Sequence, residues 1–104
     1  MIEVTKDNFE AEVLQAEGLV VVDYWNEKCE PCKALMPHVH ALAEQYQDKA
    51  KFCSLDTTSN KRLSISQKVL GLPTIAFYRN GEKIDELVKE ITIGDVEAKL
   101  NELL

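Results

Sequence analysis

The sequence predicts an α/β fold in which helices cover both faces of a sheet. Short runs of apolar and β-branched residues recur at Leu19–Trp25, Lys51–Leu55 and Thr74–Tyr78. Between them, apolar residues fall three or four positions apart, as they do on helices. Strands that alternate with helices favour a mostly parallel sheet. A chain of 104 residues with 45% hydrophobic content supplies one modest core, which indicates a single domain over residues 1–104.

The first elements are a helix and a buried strand. Thr5 or Asp7 can cap a helix that buries Phe9 and ends at Gly18, a residue that can close a helix in the left-handed conformation. The strand Leu19–Trp25 follows directly. Its unbroken apolar start predicts burial on both faces of the sheet.

A long helix is predicted next, over residues 31–46. Its apolar residues share one stripe: Leu35, Val39, Leu42 and Tyr46. Pro37 lies inside this helix and should kink it, because proline lacks a backbone N–H and clashes with the preceding turn.

The remaining elements are two helices and a hairpin. Ser59 or Asn60 can cap a third helix, which is predicted to contain Leu63, Val69 and Leu70. Asn80-Gly81 between two strand-like segments predicts a tight hairpin. A last helix then presents one apolar face, formed by Ile93, Val96, Leu100 and Leu103.

Charge and composition argue against several classes of protein. The chain has 12 basic and 18 acidic residues and no lysine or arginine block that could follow a phosphate backbone, so no nucleic-acid partner is expected. The opening MIEVTKDNFE lacks a basic stretch followed by an apolar one, and no run approaches the ~18 apolar residues of a membrane span. Three cysteines do not resemble a secreted disulfide framework. These observations predict a cytoplasmic protein.

The chemistry of the sequence centres on Cys29-Glu30-Pro31-Cys32, which a predicted strand enters and a predicted helix leaves. A cysteine at a helix start meets free backbone N–H groups and the positive end of the helix dipole, so its thiolate is favoured. Cys29 is therefore the candidate nucleophile. Cys32 is close enough to form a disulfide with it and to resolve a mixed disulfide, and Pro31 suits the first helical turn.

Alternative roles for the cysteines remain open at this point. Zinc usually takes four ligands, and the sequence has no second C-x-x-C or H-x₃₋₅-H pair. A zinc or iron–sulfur site would require two motifs from a dimer. Another alternative is a protein-binding module that holds one partner without disulfide turnover. Cys53 is expected to be a small buried hydrophobe, and His38 and His40 are expected on the surface.

Five features resemble the thioredoxin family, in the family's order and over essentially the whole chain. They are Asp23-Tyr24-Trp25, Cys29-Glu30-Pro31-Cys32-Lys33, Pro37, Gly71-Leu72-Pro73-Thr74 and Asn80-Gly81. The resemblance implies the thioredoxin fold, a central mixed five-stranded sheet flanked by four helices. It also implies a monomeric protein-disulfide reductase with a reversible Cys29–Cys32 disulfide and no bound cofactor, reduced in turn by a thioredoxin reductase.

The resemblance also implies roles for residues outside the motif. Pro73 would be a cis proline that faces the cysteines, with the Leu72 backbone beside it available to an extended substrate segment. Asp23 would be the buried acid that takes a proton from Cys32 through water, and burial should raise its pKa. Trp25 would pack against the motif and shape its surface.

The departures from the family pattern lie around the motif. Lys28 and Glu30 stand where the family usually has tryptophan and glycine, and Lys89 stands where many members have glycine. We assign these three residues, together with Pro31, to the substrate-binding surface. A charged rim predicts a restricted set of partners. Neutral variation on a solvated rim is the alternative, since exposed charges often contribute little.

Three segments resemble a narrower group, the thioredoxins associated with glycine reductase in amino-acid-fermenting anaerobes. They are residues 28–33, 34–37 and 65–74. This resemblance implies that a flavin-containing thioredoxin reductase supplies electrons. It further implies that a glycine reductase component with an oxidised cysteine or selenocysteine pair receives them.

Overall fold

The computed structural model describes residues 1–104 and shows five strands and four helical segments. The strands are β1 (Ile2–Glu3), β2 (Leu19–Trp25), β3 (Ala50–Asp56), β4 (Thr74–Arg79) and β5 (Glu82–Val88). The helical segments are α1 (Glu10–Leu14), α2 (Glu30–Gln45), α3 (Lys61–Ser66) and α4 (Ile93–Leu103). The mixed five-stranded sheet with four helices is thereby confirmed. None of the helices is both long and apolar enough to span a membrane.

The strands lie in the order β1-β3-β2-β4-β5. β3 is parallel to β1 and to β2, whereas β4 is antiparallel to β2 and to β5. The mostly parallel sheet expected from the alternation of elements is therefore wrong for two of the four strand pairs. β4 begins beside the carboxyl end of β2, with Thr74 opposite Tyr24, and runs back along β2.

Two apolar cores occupy the two faces of the sheet. Leu19 and Val21 of β2 point to the first face, where α2 and α4 pack. Val20, Val22 and Tyr24 point to the second face, where Phe9 and Val13 of the amino-terminal segment pack. The first six residues of β2 are buried, which confirms the predicted double-sided burial.

The first helix is much shorter than expected. Thr5 caps the turn that precedes it: the Thr5 Oγ1 accepts from the Asp7 N–H at 3.1 Å, and the Thr5 N–H donates to Asn8 Oδ1 at 2.7 Å. The helical segment Glu10–Leu14 ends with a bond that spans five residues, from the Gln15 N–H to the Glu10 carbonyl at 2.8 Å. Gly18 has the predicted left-handed conformation, with φ +77°, but lies beyond the helix.

The third helix also ends earlier than expected. Asn60 precedes α3, but its side chain accepts from the Lys6 N–H at 2.9 Å and donates to the Asp56 carbonyl at 2.9 Å rather than capping the helix. α3 ends at Ser66, and Lys68 takes a left-handed conformation with φ 63° that cannot continue it. Val69 and Leu70 therefore lie in a loop.

The hairpin and the last helix form as predicted. Asn80 and Gly81 both have positive φ, 55° and 80°, as the favoured two-residue hairpin turn requires. α4 begins with a capping box between Thr92 and Asp95, a signal that the sequence analysis did not use.

Candidate active site

The cysteine pair lies where β2 passes into α2. Cys29 is the residue before the helix, and its N–H donates to the Asn26 carbonyl at 3.2 Å across a tight turn. Cys29 and Cys32 form a disulfide, with their Cα atoms 5.2 Å apart. Cys29 is half-buried, whereas Cys32 is 1% exposed. An incoming sulfur can therefore reach Cys29 but not Cys32.

The start of α2 supplies the electrostatics that a thiolate at Cys29 needs. The Cys32 N–H points at Cys29 Sγ, with a nitrogen–sulfur distance of 3.2 Å. The helix dipole adds partial positive charge at the same place. Both effects favour the thiolate over the thiol and so lower the cost of releasing Cys29 from a disulfide.

Asp23 is a buried acid on the face of β2 that carries α2. It is 2% exposed, and its Oδ2 has no hydrogen-bond partner. Its neighbour in β3 is Ser54 and its neighbour in β4 is Ile75, neither of which carries charge. Burial alone raises the pKa of Asp23 from 3.8 to about 7. The side chain can therefore bind and release a proton near neutral pH.

The Leu72–Pro73 peptide bond is cis, as the resemblance implied. Pro73 is buried, and its carbonyl accepts from the Lys89 N–H at 2.9 Å, which places Lys89 beside it. Thr74 Oγ donates to the Gly71 carbonyl at 2.7 Å and fixes the turn that leads into Pro73. The Leu72 backbone makes no hydrogen bond within the chain.

Trp25 ends β2 and is half-buried. Its carbonyl accepts from the Thr57 N–H at 2.9 Å. With Met36 and Pro37 of α2 it lines a cleft of about 380 Å³. Trp25 therefore lies against the helix that carries the cysteine pair.

The charged rim residues are exposed. Lys28 and Lys89 form no ion pair, and Glu30 pairs with Lys33 at 3.4 Å in a contact open to solvent. Such a pair is weak. Lys89 has φ 67°, a left-handed conformation that favours glycine, so this position carries a side chain at some conformational cost.

Asn26 is a site residue that the sequence analysis missed. Besides the carbonyl bond to Cys29, its Oδ1 accepts from the Lys28 N–H at 3.0 Å. This bond shapes the turn that leads to the cysteines. An asparagine directly after a buried strand is a turn signal that could have identified it.

The remaining candidate ligands lie apart from one another. Cys53 is 1% exposed within the second core, and burial raises the pKa of its thiol to about 11, so it stays protonated. His38 and His40 are exposed on α2, as expected. No group of three or more histidine, cysteine or acidic residues is placed to hold a metal ion.

The fold and the site together define a class of protein. A helix-terminal disulfide with one accessible sulfur, on a mixed sheet and accompanied by a cis proline, is the arrangement of a thiol–disulfide oxidoreductase.

Comparison with known proteins identifies the family. The family model described as thioredoxin matches residues 1–102. A thioredoxin of Acetoanaerobium sticklandii is 53% identical over 105 residues, covering 100% of both chains. A thioredoxin of Peptoclostridium acidaminophilum is 53% identical over 86% of this chain and 82% of the relative, and one of Pseudomonas aeruginosa is 40% identical over 78% and 75%. The chain belongs to the thioredoxin family, and the expectation of a dithiol–disulfide oxidoreductase is confirmed.

Proposed function

We propose that this protein reduces disulfides of partner proteins in the cytoplasm, as a monomer without a bound cofactor, and is itself reduced by a thioredoxin reductase. The observation that supports this best is the asymmetry of the cysteine pair. Cys29 is open to a partner at the start of α2, whereas Cys32 is buried behind it.

The asymmetry assigns the two steps of exchange. The Cys29 thiolate attacks one partner sulfur, forms a mixed disulfide and expels the other partner sulfur as a thiolate. The Cys32 thiolate then attacks Cys29 Sγ and displaces the first partner sulfur. The Cys29–Cys32 disulfide forms again, and two electrons have passed to the partner.

Asp23 is the group that we assign to the proton of Cys32. It is buried on the face that carries α2, it has an unpaired oxygen, and its pKa is raised to about 7. Through a water molecule, it would accept the Cys32 proton as the second thiolate forms and return it to solvent afterwards.

The turn at cis-Pro73 is the proposed docking site of the substrate backbone. The free N–H and C=O groups of Leu72 can pair with an extended segment, as a strand pairs at a sheet edge. Lys28, Glu30, Pro31 and Lys89 would surround that segment, and Trp25 would support the helix beneath it.

The proposed partners follow from the two resemblances. Two of the relatives are thioredoxins of amino-acid-fermenting clostridia. We propose a flavin-containing thioredoxin reductase as the electron donor and a glycine reductase component with an oxidised cysteine or selenocysteine pair as one acceptor. Trapping that component on a Cys32→Ser variant in lysate would support this assignment.

The central test is reduction of insulin disulfides with dithiothreitol as electron source. The wild-type protein should accelerate the reaction, and Cys29→Ser should return it to the dithiothreitol background. Cys53→Ala is the matched control and should keep turnover. A wild-type rate equal to the background would contradict the proposed function.

A second measurement separates the two cysteines. Cys32→Ser should accumulate a covalent adduct with a partner, visible as a mass shift that dithiothreitol removes, because resolution is lost while attack remains. Cys29→Ser should form no such adduct. Equal trapping by both variants would contradict the assigned order of attack.

A further inference from the structure

A second cleft, of about 590 Å³, opens beside the cysteine end of the sheet. One side is formed by Asn26 and Thr57, which follow β2 and β3, and the other by α3 and the loop after it. Leu72, the residue before cis-Pro73, also lines it. We call this feature the α3 cleft. Because the Asn26 carbonyl holds the Cys29 N–H, the cleft adjoins the cysteine loop directly.

The α3 cleft carries the two most exposed large apolar side chains of the protein. Leu70 is 86% exposed and Ile65 is 54% exposed, and both line the cleft. Neither belongs to either of the two apolar cores. Exposed apolar side chains that line one concave surface, rather than being scattered, mark an interaction site.

The segment on the α3 side of the cleft has a charge opposite to that of the whole protein. Residues 57–81 contain four of the 12 basic residues and none of the 18 acidic ones, although the net charge is −6. Lys61 lines the cleft, and Arg62 and Lys68 are exposed next to lining residues. None of these three cations forms an ion pair. The α3 side of the cleft thus combines exposed apolar side chains with unpaired positive charge, a combination that complements an acidic partner.

The loop that forms the outer side of the cleft is held in place. The Gln67 carbonyl accepts from Lys83 Nζ at 2.7 Å, and Gln67 Oε1 accepts from the Tyr78 hydroxyl at 3.0 Å. The Val69 N–H donates to the Ser64 carbonyl at 2.9 Å. A fixed loop does not have to be ordered when a partner binds, which favours affinity.

We propose that the α3 cleft binds an acidic segment of the partner protein that carries an apolar side chain next to the disulfide under attack. The apolar side chain lies against Ile65 and Leu70, and the carboxylates face Lys61, Arg62 and Lys68. This inference rests on the proposed function, because it names the substrate that the Cys29 site selects. Charge complementarity of this kind raises the rate of encounter and discriminates between partners.

The test uses two peptides that differ only in charge. Each contains a disulfide and a leucine two residues away, flanked by two aspartates in one peptide and two lysines in the other. The second-order rate of reduction by the reduced wild-type protein is measured in single turnover. The net charge of −6 alone favours the basic peptide, whereas the cleft favours the acidic one.

The acidic peptide should be reduced about tenfold faster than the basic one at low salt, and the ratio should shrink as salt screens the charges. Lys61→Glu should lower the ratio by at least about threefold. Lys49→Glu is the matched control, because Lys49 is exposed just before β3, at the opposite end of the sheet, and the charge change is the same.

Leu70→Ser should slow reduction of the acidic peptide by about threefold. Leu104→Ser, on another exposed leucine, should not slow it.

Each outcome has a definite meaning. Equal rates for the two peptides, or a faster basic peptide, would overturn the inference. An equal fall in the ratio of acidic-peptide to basic-peptide rates in Lys61→Glu and Lys49→Glu would also overturn it. If both peptides and insulin are reduced without preference, the proposed function holds and the cleft inference fails. If the wild-type protein reduces neither peptide and not insulin, the proposed function itself fails.

Discussion

Asp23 and Tyr24 are neighbours on β2 and point to opposite faces of the same sheet, yet their surroundings differ completely. The Tyr24 hydroxyl lies 2.7 Å from the Tyr78 hydroxyl, which in turn donates to Gln67 Oε1 at 3.0 Å. This chain of polar groups is satisfied within the protein. Asp23, equally buried, leaves Oδ2 without a partner.

The difference separates a polar group that is satisfied within the fold from the acid to which we assign proton transfer. Proteins pair nearly all of their buried polar atoms, so a buried exception marks a site where something else is required. Burial raises the pKa of Tyr78 to about 12, and the Tyr78 hydroxyl therefore stays protonated. Burial likewise raises the pKa of Asp23 to about 7, so its carboxyl group can bind and release a proton near neutral pH. The first face of the sheet thus contains a group suited to chemistry, and the second contains one suited to stability.

The largest expected effect comes from Asp23. Its pKa is 3.8 in the unfolded chain and about 7 in the folded protein. As pH rises from about 4 to 7 the unfolded chain releases this proton first, so the free energy of unfolding falls. The loss through this one group is about 4 kcal/mol. Asp23→Asn should remove this pH-dependent loss of stability. The variant should therefore be more stable than wild type at pH 8 and similar to it at pH 4.

Denaturant unfolding of both proteins across this pH range measures the effect. Asp85→Asn serves as a contrast, because a hydrogen bond from Lys99 lowers the pKa of Asp85 and its stabilisation is lost as pH falls rather than as it rises. A constant difference between wild type and Asp23→Asn from pH 4 to pH 8 would contradict the raised pKa. The same variant should also slow release of the adduct between Cys29 and a partner at pH 7.

The tyrosine chain should show a smaller effect that does not vary between pH 4 and 8. Tyr78→Phe leaves the Tyr24 hydroxyl without an acceptor and Gln67 Oε1 without a donor, at an expected cost of about 2 kcal/mol. Tyr24→Phe should cost about 1 kcal/mol, because the Tyr78 to Gln67 bond survives. Thermal or denaturant unfolding of both variants and the double variant gives the coupling between the two hydroxyls. Strictly additive losses would show that they do not act as a pair.

The helices on the two faces also differ in whether side chains satisfy the polar groups of their first turn. α4, on the first face, has its first turn satisfied by Thr92 and Asp95, with bonds of 3.1 Å in both directions. α1, on the second face, has no side-chain cap and depends on Phe9 and Val13 in the core. Thr92→Ala should therefore cost about 1 kcal/mol. Thr92→Ser, which keeps the hydroxyl, is the control and should cost much less.

Local sequence determined the central elements and the reactive cysteines. The run from Leu19 to Trp25 is apolar except for Asp23, so both its strand character and its burial follow from composition. Asn80-Gly81 specified its own turn, because these two residues adopt positive φ readily. A cysteine pair at the start of a helix is likewise a local pattern, and the stabilisation of a thiolate at Cys29 follows from the helix terminus.

Tertiary structure decided what depends on competition between distant groups. Asn60 could cap α3 as far as the local sequence shows, but its Oδ1 accepts from the N–H of Lys6, which only the folded chain brings near. The direction of β4, antiparallel to β2, was also decided by the tertiary structure, because the spacing of apolar residues does not give the direction of a strand. The same holds for the exposure of Leu70 in the cleft that Lys61 also lines, because that spacing does not show which apolar surface stays uncovered. The isolation of Asp23 is likewise tertiary: the sequence shows an acid after an apolar strand, whereas the absence of a partner depends on every side chain packed around it.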